Sequence, residues 1–393
     1  MRRMITCAVA ALLTAVAANA AQTPLVHVSS IDLSLQFNST TGYGGNPLSI
    51  AFDGTNAYVG GFNSTAAAAN IGVVKVSNIF GGTAGFTPLL NTQFSSPATR
   101  GLDALAYQGG TPEGSLIMNH DSGAAATSFI SRRKASDGSL VWNIANPQGQ
   151  RPTAMAIDPL GDSGSAGVAF LAAGGGRRRL LSLATGATIF GGAAPDPLGG
   201  IINTSPDSGT TWRAMAFDDL GNVVVGNQAA YGYGVRNTNN QWKTLAGVVN
   251  LTTRSVLKNV ATNNVGQGIV VLEDVGSDLL AMSGRAMTTF TDSLGGVTTV
   301  ADTKVHIRKL DGSVTDLTQI VLNGDEDGIG AAWAGNIKNL AFGVDGRGRP
   351  VLVVVDYVGR RLDVYVPEPA TLGLLGVSAL LALVRGPARS RKE

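Results

Sequence analysis

One short pattern recurs along the chain: an apolar strand carries a small residue near its centre and ends in a turn. The pattern occurs at 47–54, 101–107, 152–158, 212–218 and 338–343. The residues that mark its successive copies are Ala51, Ala106, Ala156 and Ala216, followed by Val271 and Ala341. Neighbouring markers lie 50 to 70 residues apart. The chain is therefore built from about six related units.

Each unit contains further strands joined by tight turns. A second apolar run follows most of the markers, and third runs stand at 129–134, 179–183 and 305–310. Asp137-Gly138 and Asp311-Gly312 come shortly after two of these third runs. Asp-Gly between apolar runs favours a hairpin turn, because Gly and Asp tolerate the positive φ that the turn requires. The units therefore predict meanders of up to four antiparallel strands.

Repeated four-stranded meanders of this length predict an all-β fold, the β-propeller. We expect six blades, or seven if residues 264–336 contain two. Gly and Ala in the first strand of each unit suit an innermost position, where bulky side chains would clash around a central channel. A strand-like segment at 25–37 precedes the first unit, and we expect it to close the ring as the outer strand of the last blade. Two β-sandwiches are the alternative.

The N-terminus has the order of a secretory signal peptide. Two arginines precede the apolar run 4–18, and Ala18-Asn19-Ala20 supplies the small residues of a signal-peptidase site. We predict a signal peptide over residues 1–20, cleaved between Ala20 and Ala21. A membrane anchor is the alternative, but it requires about 20 apolar residues. Cys7, the one cysteine, lies in this segment, so the processed protein would have no disulfide.

The C-terminus joins three features in a fixed order. The motif Val366, Pro367, Glu368, Pro369 is followed by an apolar stretch at 370–384, which we expect to form a helix outside the fold, and by a basic tail at 385–393. This order resembles the PEP-CTERM sorting signal of exported proteins from Gram-negative bacteria that make extracellular polysaccharide. The resemblance implies membrane contact through the helix and processing by an exosortase near the motif. A plain tail anchor is the alternative.

These boundaries give three segments: the signal peptide 1–20, a propeller domain 21–365, and the sorting signal 366–393. The whole chain has 29 basic and 27 acidic residues. Six of the basic and two of the acidic residues lie before residue 21 or after residue 366, so the central part has a net charge of −2. Nucleic-acid binding depends on a basic surface, so we expect no nucleic-acid partner.

Candidate acid–base residues are few. Asn119-His120-Asp121 follows a second strand, where side chains could reach the channel, although a polar turn after a strand is the simpler interpretation. Clustering of Asp103, His120, Asp121 and Asp158 around one channel mouth would favour a secreted lactonase- or lyase-like enzyme. Scattered positions would favour a binding protein, and we assign no catalytic residue.

An acidic loop matches the opening of a calcium-binding pattern. Asn323, Asp325 and Asp327 alternate and are followed by Gly328, which offers hard oxygen ligands and a sharp turn. The twelfth position is Ala334 rather than a bidentate Glu, which removes the EF-hand interpretation. A shorter calcium loop and a solvated acidic turn both remain open.

Three basic clusters occur near strands of different units, at 132–134, 177–179 and 360–361. They predict either a basic rim that holds an acidic polysaccharide or solvated outer strands whose charge blocks aggregation. The four tryptophans could stack on sugars or pack between blades. We expect a protein that is exported through the inner membrane to the cell surface or extracellular matrix, with signal peptidase, an exosortase and polysaccharide as partners. Its expected role is non-enzymatic binding or structure, and an enzyme is the alternative.

Overall fold

The computed structural model describes residues 25–38, 42–63, 70–92, 100–110, 114–122, 128–145, 152–158, 168–173, 178–190, 212–217, 223–227, 231–236, 242–244, 265–272, 279–284, 287–291, 297–301, 304–309, 318–321, 338–357 and 359–367. Within these ranges every regular element is a β-strand, and the strands form six four-stranded sheets and one two-stranded sheet. The all-β prediction is confirmed.

The first three blades follow one another along the chain, and in each the strand order is the chain order. Blade 1 contains β2 (Asn46–Phe52), β3 (Ala57–Phe62), β4 (Ile71–Ser77) and β5 (Gly85–Thr92). Blade 2 contains β6 (Leu102–Gln108), β7 (Ser115–His120), β8 (Phe129–Lys134) and β9 (Leu140–Ala145). Blade 3 contains β10 (Pro152–Asp158), β11 (Val168–Ala173), β12 (Arg178–Ser182) and β13 (Thr188–Phe190).

The remaining blades keep this pattern with two modifications, an inserted hairpin and a strand from the N-terminus. Blade 4 contains β14 (Trp212–Phe217), β15 (Val223–Asn227), β16 (Tyr231–Arg236) and β17 (Trp242–Thr244). Blade 5 contains β18 (Val265–Leu272), β19 (Leu279–Gly284), β22 (Lys304–Lys309) and β23 (Thr318–Val321). Blade 6 contains β24 (Lys338–Val344), β25 (Pro350–Asp356), β26 (Arg361–Pro367) and β1 (Leu25–Asp32).

The described strands form six blades, and the four-stranded sheet described within the long segment 264–336 is one of them. Its extra length is a hairpin of β20 (Met287–Thr291) and β21 (Val297–Ala301), inserted between the second and third strands of blade 5. These two strands pair with each other and join no four-stranded sheet. A long unit therefore reflects an insertion within one blade.

The first strand of each blade contacts the first strand of the next. The contacts run from β2 to β6, β10, β14, β18 and β24 and return to β2. All six marker residues lie on these strands, so the repeat in the sequence marks the innermost strands. The sheets form one closed ring, which excludes the alternative of two β-sandwiches.

The ring is closed by pairing between strands from the two ends of the chain. Strand β1 runs antiparallel to β26, with Leu25 opposite Pro367 and Asp32 opposite Arg361. The predicted closing strand is therefore confirmed, but it ends at Asp32 rather than extending to Phe37. After it, the chain forms a turn in which the amide of Phe37 donates to the carbonyl of Leu33 (2.9 Å), and both side chains are fully buried.

The core is divided into layers between adjacent blades. Among the described residues, the largest layer lies between blades 6 and 1 and includes Ile31 of β1, Val59 of β3 and Val364 of β26. Further layers lie between blades 1 and 2, blades 2 and 3, and blades 5 and 6. Blades 1, 2, 3, 5 and 6 are thus stabilised by burying apolar surface against a neighbouring blade.

A buried carboxylate joins the two closing strands. Asp363 of β26 is completely buried, and the Nε of Arg361 donates to both of its oxygens at 3.1 and 3.0 Å. The hydroxyl of Ser30 in β1 donates to the same carboxylate, and the Nε2 of His27 lies 3.6 Å from it. A buried charge is tolerated when it is paired and hydrogen-bonded, so this network fixes how β1 lies on β26.

Shortening an inward side chain of the closing strand tests the closure. Ile31 is 8% exposed, whereas Val28 on the same strand is 38% exposed. We expect Ile31→Ala to lower the free energy of unfolding by about 2–4 kcal/mol, because it leaves a cavity in the layer between blades 6 and 1. The matched control Val28→Ala should cost about 0.5 kcal/mol or less. Urea denaturation measures both, and equal losses would show that β1 does not complete that layer.

Candidate functional site: the central channel

The innermost strands surround a narrow central channel. All six contribute described lining residues, which are Ser49, Ile50, Asp103, Ala104, Leu105, Ala154, Met155, Ala214, Met215, Gly268, Asn339 and Leu340. Blades 2, 3, 4 and 5 contribute Ala or Gly to this lining, as expected where strands crowd around an axis. The enclosed space is about 60 Å³. This is well below the roughly 300 Å³ of a small ligand pocket, and it suits a few water molecules.

A β-bulge recurs near the start of the innermost strand. In five blades the pairing with the second strand shifts there; in blade 1 the shift lies between Pro47 and Ser49, and in blade 2 between Leu102 and Ala104. Strand β24 pairs without a shift from Lys338 to Val344. A bulge bends the strand and redirects the extra residue. In blade 2 the extra residue is Asp103, which lines the channel and is 8% exposed.

Two asparagines link neighbouring blades close to the channel. The Nδ2 of Asn339 in blade 6 donates to the carbonyl of Leu48 in blade 1 at 2.5 Å. Similarly, Asn119 of blade 2 donates to the carbonyl of Ala154 in blade 3 at 3.5 Å. Leu48 is the bulged residue of its strand. The sequence does not predict these bonds between blades, because no local pattern distinguishes a bridging Asn from an Asn in a turn.

The environment of His120 is that of a structural residue. The side chain is fully buried at the end of β7; its ring stacks on Phe129 with centroids 3.9 Å apart, and its Nε2 lies 3.0 Å from the hydroxyl of Ser131. Both contacts are with β8, the strand further from the axis. Burial, and then the charge of Arg133, lower the pKa of His120 to about 3. The imidazole is therefore neutral near pH 7.

The four candidate acid–base residues are not grouped around the channel. Asp103 lines it, whereas no described lining residue comes from a second strand, which places His120 outside the lining. Asp121 is also buried, and its carboxylate accepts from Arg100 at 3.2 Å. Asp158 is the last residue of β10, at the end of the strand remote from the bulge. Asp103, His120 and Asp121 therefore lie at the same end of blade 2, because His120 is opposite Leu102, whereas Asp158 lies apart from them.

The aspartates that follow the repeated strand hold turns. The carboxylate of Asp53 accepts the amides of Thr55 (2.8 Å) and Asn56 (2.6 Å) and the hydroxyl of Tyr58 (2.7 Å). Burial, and then this hydrogen bond from its own hydroxyl, raise the pKa of Tyr58. Asp345 likewise accepts the amides of Arg347 and Arg349 at 2.9 Å. Asp53 and Asp345 thus stabilise the turns between the first and second strands of blades 1 and 6.

Several of the clustered arginines form hydrogen bonds or ion pairs with other groups of the protein. Arg132 donates to the carbonyl of Leu183 in blade 3 at 2.7 Å, and Trp142 donates to the same oxygen at 2.9 Å. Arg133 donates to the carbonyl of Gly138, and Arg361 binds Asp363. These residues connect strands or blades. Trp142 therefore has a packing role between blades 2 and 3.

Some predicted sites lie outside the described residues. These are the calcium-loop residues Asn323, Asp325 and Asp327, the signal-peptidase site at Ala20 and Ala21, and the motif residues Glu368 and Pro369. Val366 and Pro367 are described, and they are the last two residues of β26. The described part of the chain contains no group of three or more residues suited to hold a metal and no helix able to cross a membrane.

The acid dependence of stability tests the assignment of His120. In the unfolded chain its pKa returns to about 6.5, so between pH 6.5 and about 3 the unfolded state binds a proton that the folded state excludes. Stability therefore falls as the pH decreases through this window. Between pH 7 and 4.5 we expect His120→Gln to remove about 2 kcal/mol of the loss that the unaltered protein shows in urea denaturation. Equal losses, or titration of His120 near pH 6.5 by NMR, would contradict a buried neutral imidazole.

The chain is similar to known proteins in structure but not in sequence. No family model matches the chain, and no curated protein matches its sequence. Among solved structures, it is similar to the WD40 β-propeller domain of Doa1, with 11% identity, a TM-score of 0.45, and coverage of 89% of this chain and 99% of the other. The described strands and their pairing make the protein a six-bladed β-propeller.

Proposed function

We propose that the protein is an exported propeller that acts at the cell surface or in the extracellular matrix as a non-enzymatic binding or structural module. The observation that carries the proposal is the order of segments around the ring. A signal-peptide sequence precedes the closing strand β1, and the sorting motif begins within its partner β26. The targeting sequences therefore adjoin the pair of strands that closes the domain.

The geometry of the candidate residues supports a role other than catalysis. General acid–base chemistry requires groups within reach of one substrate and a pKa near the working pH. His120 is buried with a pKa of about 3, and Asp121 is held by Arg100. The channel beside Asp103 encloses only about 60 Å³. These residues serve the packing of blade 2.

The partner that the C-terminal resemblance implies is extracellular polysaccharide. A basic rim made of the clustered arginines is a weak basis for this contact, because Arg132, Arg133 and Arg361 donate to carbonyl or carboxylate groups of the protein itself. The cavity in the central channel, at about 60 Å³, is smaller than a small ligand pocket. We therefore assign contact with polysaccharide to the surface of the ring outside the channel.

Expression of the full chain in a Gram-negative bacterium that has an exosortase tests the export route. We expect a surface or released product that begins at Ala21 and lacks the apolar stretch 370–384, as measured by intact mass. Replacing Pro367, Glu368 and Pro369 together by Ala should leave the C-terminal stretch in place while the N-terminus is still cut. Retention of the unaltered full chain inside the cell, or removal of the tail from the triple variant, would contradict the proposal.

A polysaccharide assay separates binding from catalysis. The processed protein is mixed with the extracellular polysaccharide of the expressing strain, and both retention of the protein and the chain length of the polysaccharide are followed by size-exclusion chromatography. We expect retention without shortening, and unchanged retention for Asp103→Asn, because the channel takes no part. Shortening that Asp103→Asn abolishes would instead establish the enzyme.

A further inference from the structure

Four outer strands share a β-bulge. In strands β1, β5, β9 and β13, the pairing with the third strand of the same blade shifts by one residue. The extra residue is aliphatic in each case: Val28, Leu89, Val141 and Ile189. The described outer strands of blades 4 and 5 pair without such a shift. Because a bulge bends the edge of a sheet and leaves the extra residue unpaired, the rim of the ring is irregular in four consecutive blades, 6, 1, 2 and 3.

The turn between the third and fourth strands of a blade contacts the outer strand of the blade before it. We call these turns rim turns, and they are residues 78–84 in blade 1, 135–139 in blade 2 and 183–187 in blade 3. The hydroxyl of Ser29, next to the bulge of β1, donates to the carbonyl of Ile79 in the rim turn of blade 1. The indole of Trp142, next to the bulge of β9, donates to the carbonyl of Leu183 in the rim turn of blade 3 at 2.9 Å. The two contacts occupy equivalent places at different interfaces.

Between blades 1 and 2 the contact is made by the backbone. Gly138 of the rim turn is buried, has a φ of 75°, and lies against the carbonyl oxygen of Leu89, so that a methyl group on Gly138 would overlap this oxygen. Gly186 takes the same position in the rim turn of blade 3, with a φ of 73°, and a methyl group there would lie 3.0 Å from the ring of Trp142. Glycine permits both the positive φ and the close approach. The Asp-Gly pair at 137–138 therefore serves a contact between blades as well as a hairpin.

A turn of this kind does not by itself require a contact with another blade. Gly348, in the turn between β24 and β25, has nearly the same φ, 76°, but it is exposed, and no described atom lies within 4 Å of a methyl group placed on it. Gly138 and Gly348 thus share a backbone conformation and differ in their neighbours. A substitution at Gly348 measures the cost of the positive φ, and one at Gly138 adds the loss of the contact.

We propose that the rim turns of blades 1, 2 and 3 are clasps, each of which holds the bulged outer strand of the preceding blade. An outer strand pairs with its own sheet along one edge, and a bulge disrupts part of that pairing. Contact with the next blade therefore decides whether the strand stays in place. Opening of a rim turn loosens the outer strand before it, so the coupling between blades has a direction. At blade 6 the strand that is held is β1, which closes the ring.

Hydrogen exchange of backbone amides, followed by mass spectrometry on the purified full chain, tests the clasp between blades 1 and 2. We expect Gly138→Ala to accelerate exchange in β5 of blade 1 at least tenfold, because the added methyl group displaces the rim turn from Leu89. Gly348→Ala, which carries the same cost of a positive φ, should leave exchange in β5 unchanged. Unchanged exchange in β5 of the Gly138→Ala variant, or equal acceleration in β5 and in β25 of blade 6, would overturn the coupling.

A milder variant tests the next interface and remains informative if Gly138→Ala does not fold. Gly186→Ala places its methyl group 3.0 Å from the ring of Trp142, a contact that a small shift of the ring relieves. We expect the indole N–H of Trp142 and the amides of β9 to exchange at least threefold faster than in the unaltered protein, as measured by NMR, with no change in Gly348→Ala. Exchange that increases only within residues 183–187 would show that this turn serves its own hairpin, and it would overturn the clasp.

Discussion

Backbone pairing between β1 and β26 is the interaction on which the ring depends. Apolar layers between adjacent blades stabilise the ring. If two adjacent blades separated, the apolar face of each would be exposed to water. The closing pair joins residues 25–32 to residues 361–367, the two ends of the described chain. The entropic cost of closing so long a loop grows only slowly with its length, and burial of the layer between blades 6 and 1 offsets it.

Several polar residues of the described part support this architecture. Asp53 and Asp345 hold turns, Asp363 joins the closing strands, and Arg132 reaches the neighbouring blade. Only 14% of the residues are charged. A charge that is buried in a blade must be paired or hydrogen-bonded, so charged residues in the blades are used for such contacts. A recurring Asp or an isolated His is therefore weak support for a catalytic site in a repeat protein.

The sequence was sufficient to predict the repeat, the innermost strands and the closing strand, because these depend on local patterns. Small residues flanked by apolar ones mark the strands, and Asp-Gly marks the hairpins. It did not predict the recurrent bulge, the bridging role of Asn339 or the contact of Arg132 with blade 3. The contacts of Asn339 and Arg132 depend on which carbonyl a neighbouring blade places nearby, and that information is absent from any window of the sequence. The hairpin β20–β21 made blade 5 look long enough to be two.

The size of the channel and the position of the termini together restrict where function can reside. Five bulged innermost strands and the regular strand β24 surround the axis. Small residues allow these strands to lie close together, and the cavity between them has a volume of about 60 Å³. A space of this size suits a few water molecules rather than a ligand. The two ends of the domain leave blade 6 side by side, at Leu25 and Pro367. Chain segments that precede β1 or follow β26 are therefore attached to the ring at the same blade, next to the pair of strands that closes it.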